Sequence, residues 1–145
     1  MNLPLDDNDK RKLIELAYLG EWLINAHHDP EHQDDAARAA LQQVLADAGR
    51  TEGVGKDVET GDYYLDEAWT ERLYNHYIAD YDDHVFWDEL TERMAQRDLG
   101  RERDVPTDEI NRDDDLLALR PLEDVYRREF ENNGIDHLEI GDNRP

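Results

Sequence analysis

The sequence predicts an all-α protein in which about five helices form an irregular bundle around an aromatic-rich core, with at most one minor β-hairpin. Apolar residues recur at helical spacing in several segments, and glycine or proline separates those segments. Seven tyrosines and three tryptophans supplement a small set of aliphatic residues, so aromatic rings are expected to fill much of the core. The 145 residues suit a single domain, residues 1–145, with an irregular segment at 51–65 and a polar loop at 101–115.

The first two predicted helices form an antiparallel hairpin. The segment Leu13–Ala26, LIELAYLGEWLINA, is apolar on most faces, which is typical of a central helix. Asp29 and Pro30 are expected to cap and begin the second helix, which runs to about Ala48 and ends at Gly49. Its apolar residues form one stripe: Ala37, Leu41, Val44, Leu45 and Ala48.

A long helical region is predicted from about residue 66 to residue 99. Its first apolar series, Trp69–Tyr81, repeats every four residues, and so does its second series, Phe86–Met94. The two series are out of phase, so a break or kink is expected near Asp80–Asp83.

The other elements are shorter. Val58 and the segment Tyr63–Leu65 are the candidates for the minor hairpin within the irregular segment. Pro121 is expected to begin a final helix that continues through Phe130 and ends at Gly134.

Charge is the strongest signal about partners. The formal net charge is −22, and acidic residues are spread along the whole length of the chain. Such a surface repels nucleic acid and anionic membranes, so neither is expected to bind directly, and it favours a basic protein partner or cations. Aspartate outnumbers glutamate and there are only three lysines, which favours adaptation to high salt. A GC-rich genome that encodes arginine in place of lysine is the alternative explanation.

Several classes of site are disfavoured by composition. The chain has no cysteine, so thiolate chemistry and cysteine zinc sites are excluded. Neither a membrane-spanning apolar run nor the residue order of a signal peptide is found, and a cytoplasmic location is expected. Phosphate-binding glycine loops and the GxSxG elbow are also missing. No catalytic residue and no cofactor is therefore predicted; the missing motifs favour a non-enzyme but leave the question open.

Two sets of histidines with acidic neighbours are candidate metal ligands. The first is a stripe at a spacing of four: His76, Asp80, His84 and Asp88. The second lies where the first two helices meet and comprises His28 and His32, close to His27, Asp29 and Glu31. Imidazole and carboxylate groups suit zinc, manganese or iron, although the HExxH and Glu-x-x-His spacings are absent.

A third candidate lies on the first helix, where Glu15, Glu21 and Asn25 are polar residues in an apolar segment. A carboxylate among apolar side chains can have a raised pKa and act as an acid or base. Pairing with an arginine is the alternative interpretation.

The leading functional hypothesis is a small non-catalytic binding or adaptor protein that acts through its acidic surface or an aromatic groove. The candidate contact residues are Tyr63, Tyr64, Trp69, Tyr74, Tyr77 and Trp87. One alternative is a metal-binding helical protein or metal-dependent hydrolase. The other is a DNA mimic, whose carboxylates would stand in for phosphates and block a basic DNA-binding protein.

The high-salt interpretation predicts how stability depends on KCl. Counter-ions screen repulsion among the acidic side chains, so the melting temperature should rise by at least about 4 °C between low and molar KCl, equivalent to ~1 kcal/mol. Thermal unfolding followed by circular dichroism measures this change, with a charge-balanced protein of similar size as the control. No gain in melting temperature would contradict the interpretation.

Overall fold

A computed structural model describes residues 4–139 and 141, and this part of the chain contains five α-helices and one two-stranded antiparallel sheet. The predicted all-α fold with one minor hairpin is therefore confirmed. The described residues divide after Asp80 into two compact units. The single-domain organisation stays a prediction. Within the described residues, no helical segment has the length and hydropathy that a bilayer crossing requires.

The first unit is a helical hairpin followed by a β-hairpin and a short helix. Its elements are α1 (Asp7–Asn25), a 3-10 turn (Pro30–His32), α2 (Asp35–Ala48), β1 (Val54–Lys56), β2 (Tyr63–Leu65), α3 (Glu67–Leu73) and a π-helical turn (Tyr74–Ile78). The buried residues of its core come from both helices of the first hairpin, from β2 and from α3: Ile14, Leu41, Leu45, Leu65, Trp69 and Leu73.

Short polar side chains determine where the helices begin. The carboxylate of Asp34 accepts hydrogen bonds from the backbone N–H groups of Ala36 and Ala37, and it therefore caps α2. The predicted start of this helix at Asp29 and Pro30 is wrong, because those residues belong to the separate 3-10 turn or its cap. Equivalent caps begin three other helices: Asp6 for α1, Asp66 for α3 and Asn111 for α5.

Buried Asn25 joins the end of α1 to the start of α2. Its Oδ1 accepts a hydrogen bond of 2.7 Å from the backbone N–H of Asp34, and its Nδ2 donates to the Asp34 carbonyl oxygen at 3.3 Å. Nδ2 also donates to Glu21 at 2.8 Å. The polar pair Glu21 and Asn25 therefore orders the turn between the two helices.

The hairpin pairs Val54 with Leu65 and Lys56 with Tyr63. The predicted second strand is confirmed, but Val58 is 98% exposed and lies in the loop between the strands. The carboxylate of Asp57 accepts hydrogen bonds from the backbone N–H groups of residues 59 and 60, which turns the chain before Val58 can pair.

The change of helical phase occurs earlier than predicted. It lies in the π-helical turn Tyr74–Ile78, and α4 continues from Ala79 without a break at Asp80–Asp83. After Leu73, the next buried residue is Ile78, five positions later, whereas Tyr77 at the usual spacing of four is 40% exposed. A π turn inserts one residue into the helical repeat, which accounts for this shift.

The second unit is built from two long helices. Its elements are α4 (Ala79–Arg103, which begins just before the division), a 3-10 turn (Thr107–Glu109) and α5 (Arg112–Asn133). The irregular part of the predicted loop at 101–115 is therefore shorter than predicted. Pro121 does not begin the final helix; it lies inside α5. Asn111 caps the earlier start, and three aspartates in the first turn favour it through the helix dipole.

Apolar contacts and ion pairs join α4 to α5. The buried core contains Ala95, Leu99, Ile110 and Leu119. Aromatic rings extend it, because Phe130 lies 5.6 Å from Trp87 and 5.8 Å from Tyr126 between ring centroids. The guanidinium of Arg112 bridges Glu92 at 2.7 Å and buried Glu123 at 2.9 Å.

Leu73 should contribute far more to stability than a leucine on the surface of the same unit. Leu73→Ala removes a side chain with 0% exposure and should lower the free energy of unfolding by about 2–5 kcal/mol. Leu16→Ala is the matched control, because Leu16 is 60% exposed and the change should cost less than ~1 kcal/mol. Urea denaturation measures both variants, and equal losses would contradict the described core.

Candidate functional site

A groove in the first unit brings basic and aromatic side chains together. It has a volume of about 420 Å³ and is called the cationic groove below. Its lining residues come from one face of α1 and from the segment of α3 and the π-helical turn: Asn8, Arg11, Lys12, Glu15, Arg72, His76 and Tyr77. On α1 these residues lie at positions i, i+3, i+4 and i+7, a spacing that places them on one helical face.

Glu15 is the central polar contact of the cationic groove. Its carboxylate is buried and accepts three hydrogen bonds. The donors are Lys12 Nζ at 2.5 Å, Arg72 Nη2 at 2.8 Å and the indole N–H of Trp69 at 3.2 Å. Two of these donors belong to α3, so the carboxylate ties α1 to α3.

These contacts keep Glu15 ionised. Burial opposes ionisation, but the hydrogen bonds from Lys12 and Trp69 outweigh it and lower the pKa of Glu15 below its usual value. The hydrogen bond between Lys12 and Glu15 is also the main cause of a raised pKa at Lys12. Both groups are therefore charged at neutral pH. This result favours the interpretation of Glu15 as an arginine partner over its interpretation as a general acid or base.

Arg11 adds a third positive charge to the cationic groove. Its guanidinium carbon lies 4.4 Å from the ring centroid of Trp69, and Nη1 donates to the backbone carbonyl of Glu52 at 3.3 Å. Cation–π contact with tryptophan holds the guanidinium in place. Arg72 lies 5.9 Å from the same ring. Trp69 thus contacts three charged groups of the groove. Its indole N–H donates to the Glu15 carboxylate, and its ring lies near the guanidinium groups of Arg11 and Arg72.

The charged ends of the groove stay accessible to a ligand. The side chain of Lys12 is 59% exposed and that of Arg72 is 55% exposed. Lys12 Nζ also lies 5.8 Å from the ring centroid of Tyr77. The lining contains three cations, Arg11, Lys12 and Arg72, and one carboxylate, so it carries a surplus of positive charge in a chain whose net charge is −22. Chemically, the arrangement suits the binding of an anion.

The predicted aromatic contact residues are distributed over different environments. Tyr64, Tyr74 and Tyr77 are exposed, whereas Trp69 is buried beneath Arg11. Tyr63 is half-buried, and Trp87 is a half-buried residue of the second unit. Among the six, only Tyr77 borders the cationic groove.

The predicted histidine stripe is divided between the two units, with His76 and Asp80 in the first and His84 and Asp88 in the second. His76 borders the cationic groove, whereas His84 Nε2 lies 3.2 Å from Asp88 Oδ2 on α4. Asp80 is exposed at the start of α4. His84 and Asp88 also border a pocket of about 470 Å³ in the second unit, together with Trp87.

The second predicted histidine set is divided as well. In the described part of the chain, one group of three potential ligands has its atoms within 4.8 Å of one another, and it consists of exposed Asp29, Glu31 and His32. His28 lies apart from that group, with its ring 4.1 Å from that of His27. Metal binding at either set stays a prediction.

Sequence reasoning missed the basic residues of the groove. A signal for them exists, because Lys10, Arg11 and Lys12 form a run of three basic residues in a strongly acidic chain. Arg72 carries no such signal, since it meets Glu15 across 57 positions of sequence.

Replacement of Glu15 should change the pH dependence of stability. A carboxylate whose pKa is lowered by folding contributes stability above its unfolded pKa, and this contribution is lost as the pH falls through the folded value. Glu15→Gln should therefore lower the free energy of unfolding by about 1–3 kcal/mol at pH 7. The difference from the wild type should shrink between about pH 5 and pH 3.

Urea denaturation at a series of pH values measures this difference. Glu71→Gln is the matched control, because Glu71 is exposed on α3 and its replacement should change little at any pH. A difference for Glu15→Gln that is constant from pH 7 to pH 3 would contradict the described ionisation.

Comparison of the chain with protein-family models, with curated proteins and with solved structures finds no match.

Proposed function

We propose that this chain is a small non-catalytic binding protein that holds the anionic group of a ligand in the cationic groove. The observation that carries the proposal is the convergence of Arg11, Lys12 and Arg72 on one concave site. The volume of about 420 Å³ falls within the ~300–1,000 Å³ typical of small-molecule sites. Of the six aromatic residues in the binding hypothesis, Tyr77 borders this groove.

The charge of the whole chain supports a small ligand over a polyanion. The net charge of the chain is −22, and a charge of this sign and size repels an extended nucleic acid or an anionic bilayer. At physiological ionic strength the Debye length is about 8 Å, so distant acids are largely screened while cations in contact with a ligand still act. A compact anion can therefore enter a site that a long polyanion avoids.

The state of Glu15 supports binding over catalysis. This carboxylate is engaged by donors from Lys12, Arg72 and Trp69 and is held ionised, so it is not placed to exchange a proton with a ligand. A basic protein partner for the acidic remainder of the surface stays a prediction, as do the metal-dependent and DNA-mimic alternatives.

Removal of a groove cation should weaken anion binding. Phenyl phosphate and benzoate are suitable probe anions, with benzyl alcohol as the neutral probe, and amide chemical shifts in a ¹H–¹⁵N NMR titration report where each one binds. Anion-induced shifts should concentrate on α1 and on residues 72–77. Lys12→Gln and Arg72→Gln should each raise the dissociation constant roughly tenfold, since each loses one charge-assisted hydrogen bond.

Lys56→Gln is the matched control, because it removes a lysine of β1 that does not line the groove. Melting curves of each variant verify that it is folded, and Lys12→Gln provides the test if the loss of Arg72 unfolds the unit. The proposal is wrong if neither anion produces saturable shifts at the groove, or if Lys56→Gln weakens binding as much as Lys12→Gln.

A further inference from the structure

The charge of the cationic groove discriminates among the anions that it can hold. Arg11, Lys12 and Arg72 contribute three positive charges, and the ionised carboxylate of Glu15 offsets one of them. Two positive charges remain uncompensated within the lining. A ligand with two negative charges neutralises this surplus, whereas a monoanion leaves half of it in place.

The hydrogen-bond donors of the groove exceed what a planar carboxylate requires. A guanidinium carries five N–H donors and an ammonium carries three. In the described structure, Arg72 and Lys12 each engage Glu15, and Arg11 engages the carbonyl of Glu52. Each of the three side chains has further N–H donors. Arg11 and Lys12 approach the groove from α1, and Arg72 approaches it from α3. A tetrahedral group with three terminal oxygens can accept hydrogen bonds from several directions at once.

The groove also has space for more than the anionic group. Its volume of about 420 Å³ accommodates an organic body attached to a phosphate. The ring of Tyr77 borders that space and is 40% exposed, with Lys12 Nζ 5.8 Å from its centroid. A flat or apolar body can therefore rest against an aromatic surface while its charged end meets the cations.

From these observations we infer that the ligand of the cationic groove is a small phosphate monoester, bound as its dianion by Arg11, Lys12 and Arg72, with its organic body against Tyr77. The inference rests on the proposed function and adds the chemical class of the ligand. Arg11 is the residue best suited to test this, because its removal lowers the surplus from two charges to one and leaves in place the contacts of Lys12 and Arg72 with Glu15.

Charge-matched probes test the inference at pH 7.5 and constant ionic strength. Phenyl phosphate is a dianion there, whereas benzenesulfonate has the same ring and a tetrahedral oxyanion with a single charge. Isothermal titration calorimetry should show that phenyl phosphate binds at least tenfold more tightly than benzenesulfonate. It should also bind several-fold more tightly than inorganic phosphate, which lacks the organic body.

Variants of Arg11 separate charge from packing. Arg11→Gln should reduce the phosphate-to-sulfonate affinity ratio to a few-fold, whereas Arg11→Lys keeps the charge and should retain most of the ratio. Tyr77→Ala should remove the advantage of phenyl phosphate over inorganic phosphate. Lys56→Gln should leave both ratios unchanged, because Lys56 does not line the groove.

The outcomes distinguish the two proposals. Equal affinities for phenyl phosphate and benzenesulfonate at the groove would overturn the dianion inference and leave the binding function intact. Equal affinities for phenyl phosphate and inorganic phosphate would overturn the inference that an organic body of the ligand packs against Tyr77. An unchanged phosphate-to-sulfonate ratio in Arg11→Gln would overturn the role of Arg11. If none of the anions binds at the groove, the proposed function itself fails.

Discussion

The first unit depends on the compensation of one buried carboxylate. An ionised glutamate among apolar side chains is costly unless nearby donors satisfy it. Glu15 obtains its donors from Lys12 on its own helix and from Trp69 and Arg72 on α3. The same contacts that make the burial of Glu15 tolerable therefore fix how α1 meets α3. They also gather cations at one place, which is the physical origin of the cationic groove. The second unit uses a related contact, in which Arg112 compensates buried Glu123.

The π-helical turn determines which side chains the groove receives. A regular α-helix would place Tyr77 on the buried face, four residues after Leu73. The extra residue of the π turn directs Ile78 into the interior instead, and Tyr77 is left partly exposed beside Lys12. Single π turns occur frequently at functional sites, because they redirect side chains without ending the helix. The π turn therefore buries Ile78 and places the aromatic ring of Tyr77 at the edge of the groove.

The high-salt hypothesis and the proposed anion binding predict opposite effects of salt. On the high-salt hypothesis, screening of repulsion among the acidic side chains is expected to stabilise the fold. It also weakens the attraction between the groove and a distant anion. At 1 M salt the Debye length is about 3 Å, so only contact pairs and hydrogen bonds retain most of their strength. Directed donors such as those of Arg11 and Arg72 are better suited to that condition than a diffuse positive patch, because geometry rather than range then governs binding.

The sequence by itself determined the helical class, the hairpin of α1 and α2, and the end of α5 at Gly134, because apolar periodicity and glycine signals act over a few neighbouring residues. The sequence also indicated a change of helical phase between the two apolar series, but it predicted that change near Asp80–Asp83 and not at Tyr74–Ile78. The place could not be predicted, because which residue becomes buried depends on what packs against the helix. Pro121 misled the prediction because capping by Asn111 and burial of Leu119 outweigh the hydrogen bond that a proline removes. Only the tertiary structure decided the cationic groove. Arg72 reaches Glu15 across 57 positions of sequence, and no local pattern specifies a contact made through the packing of α1 against α3.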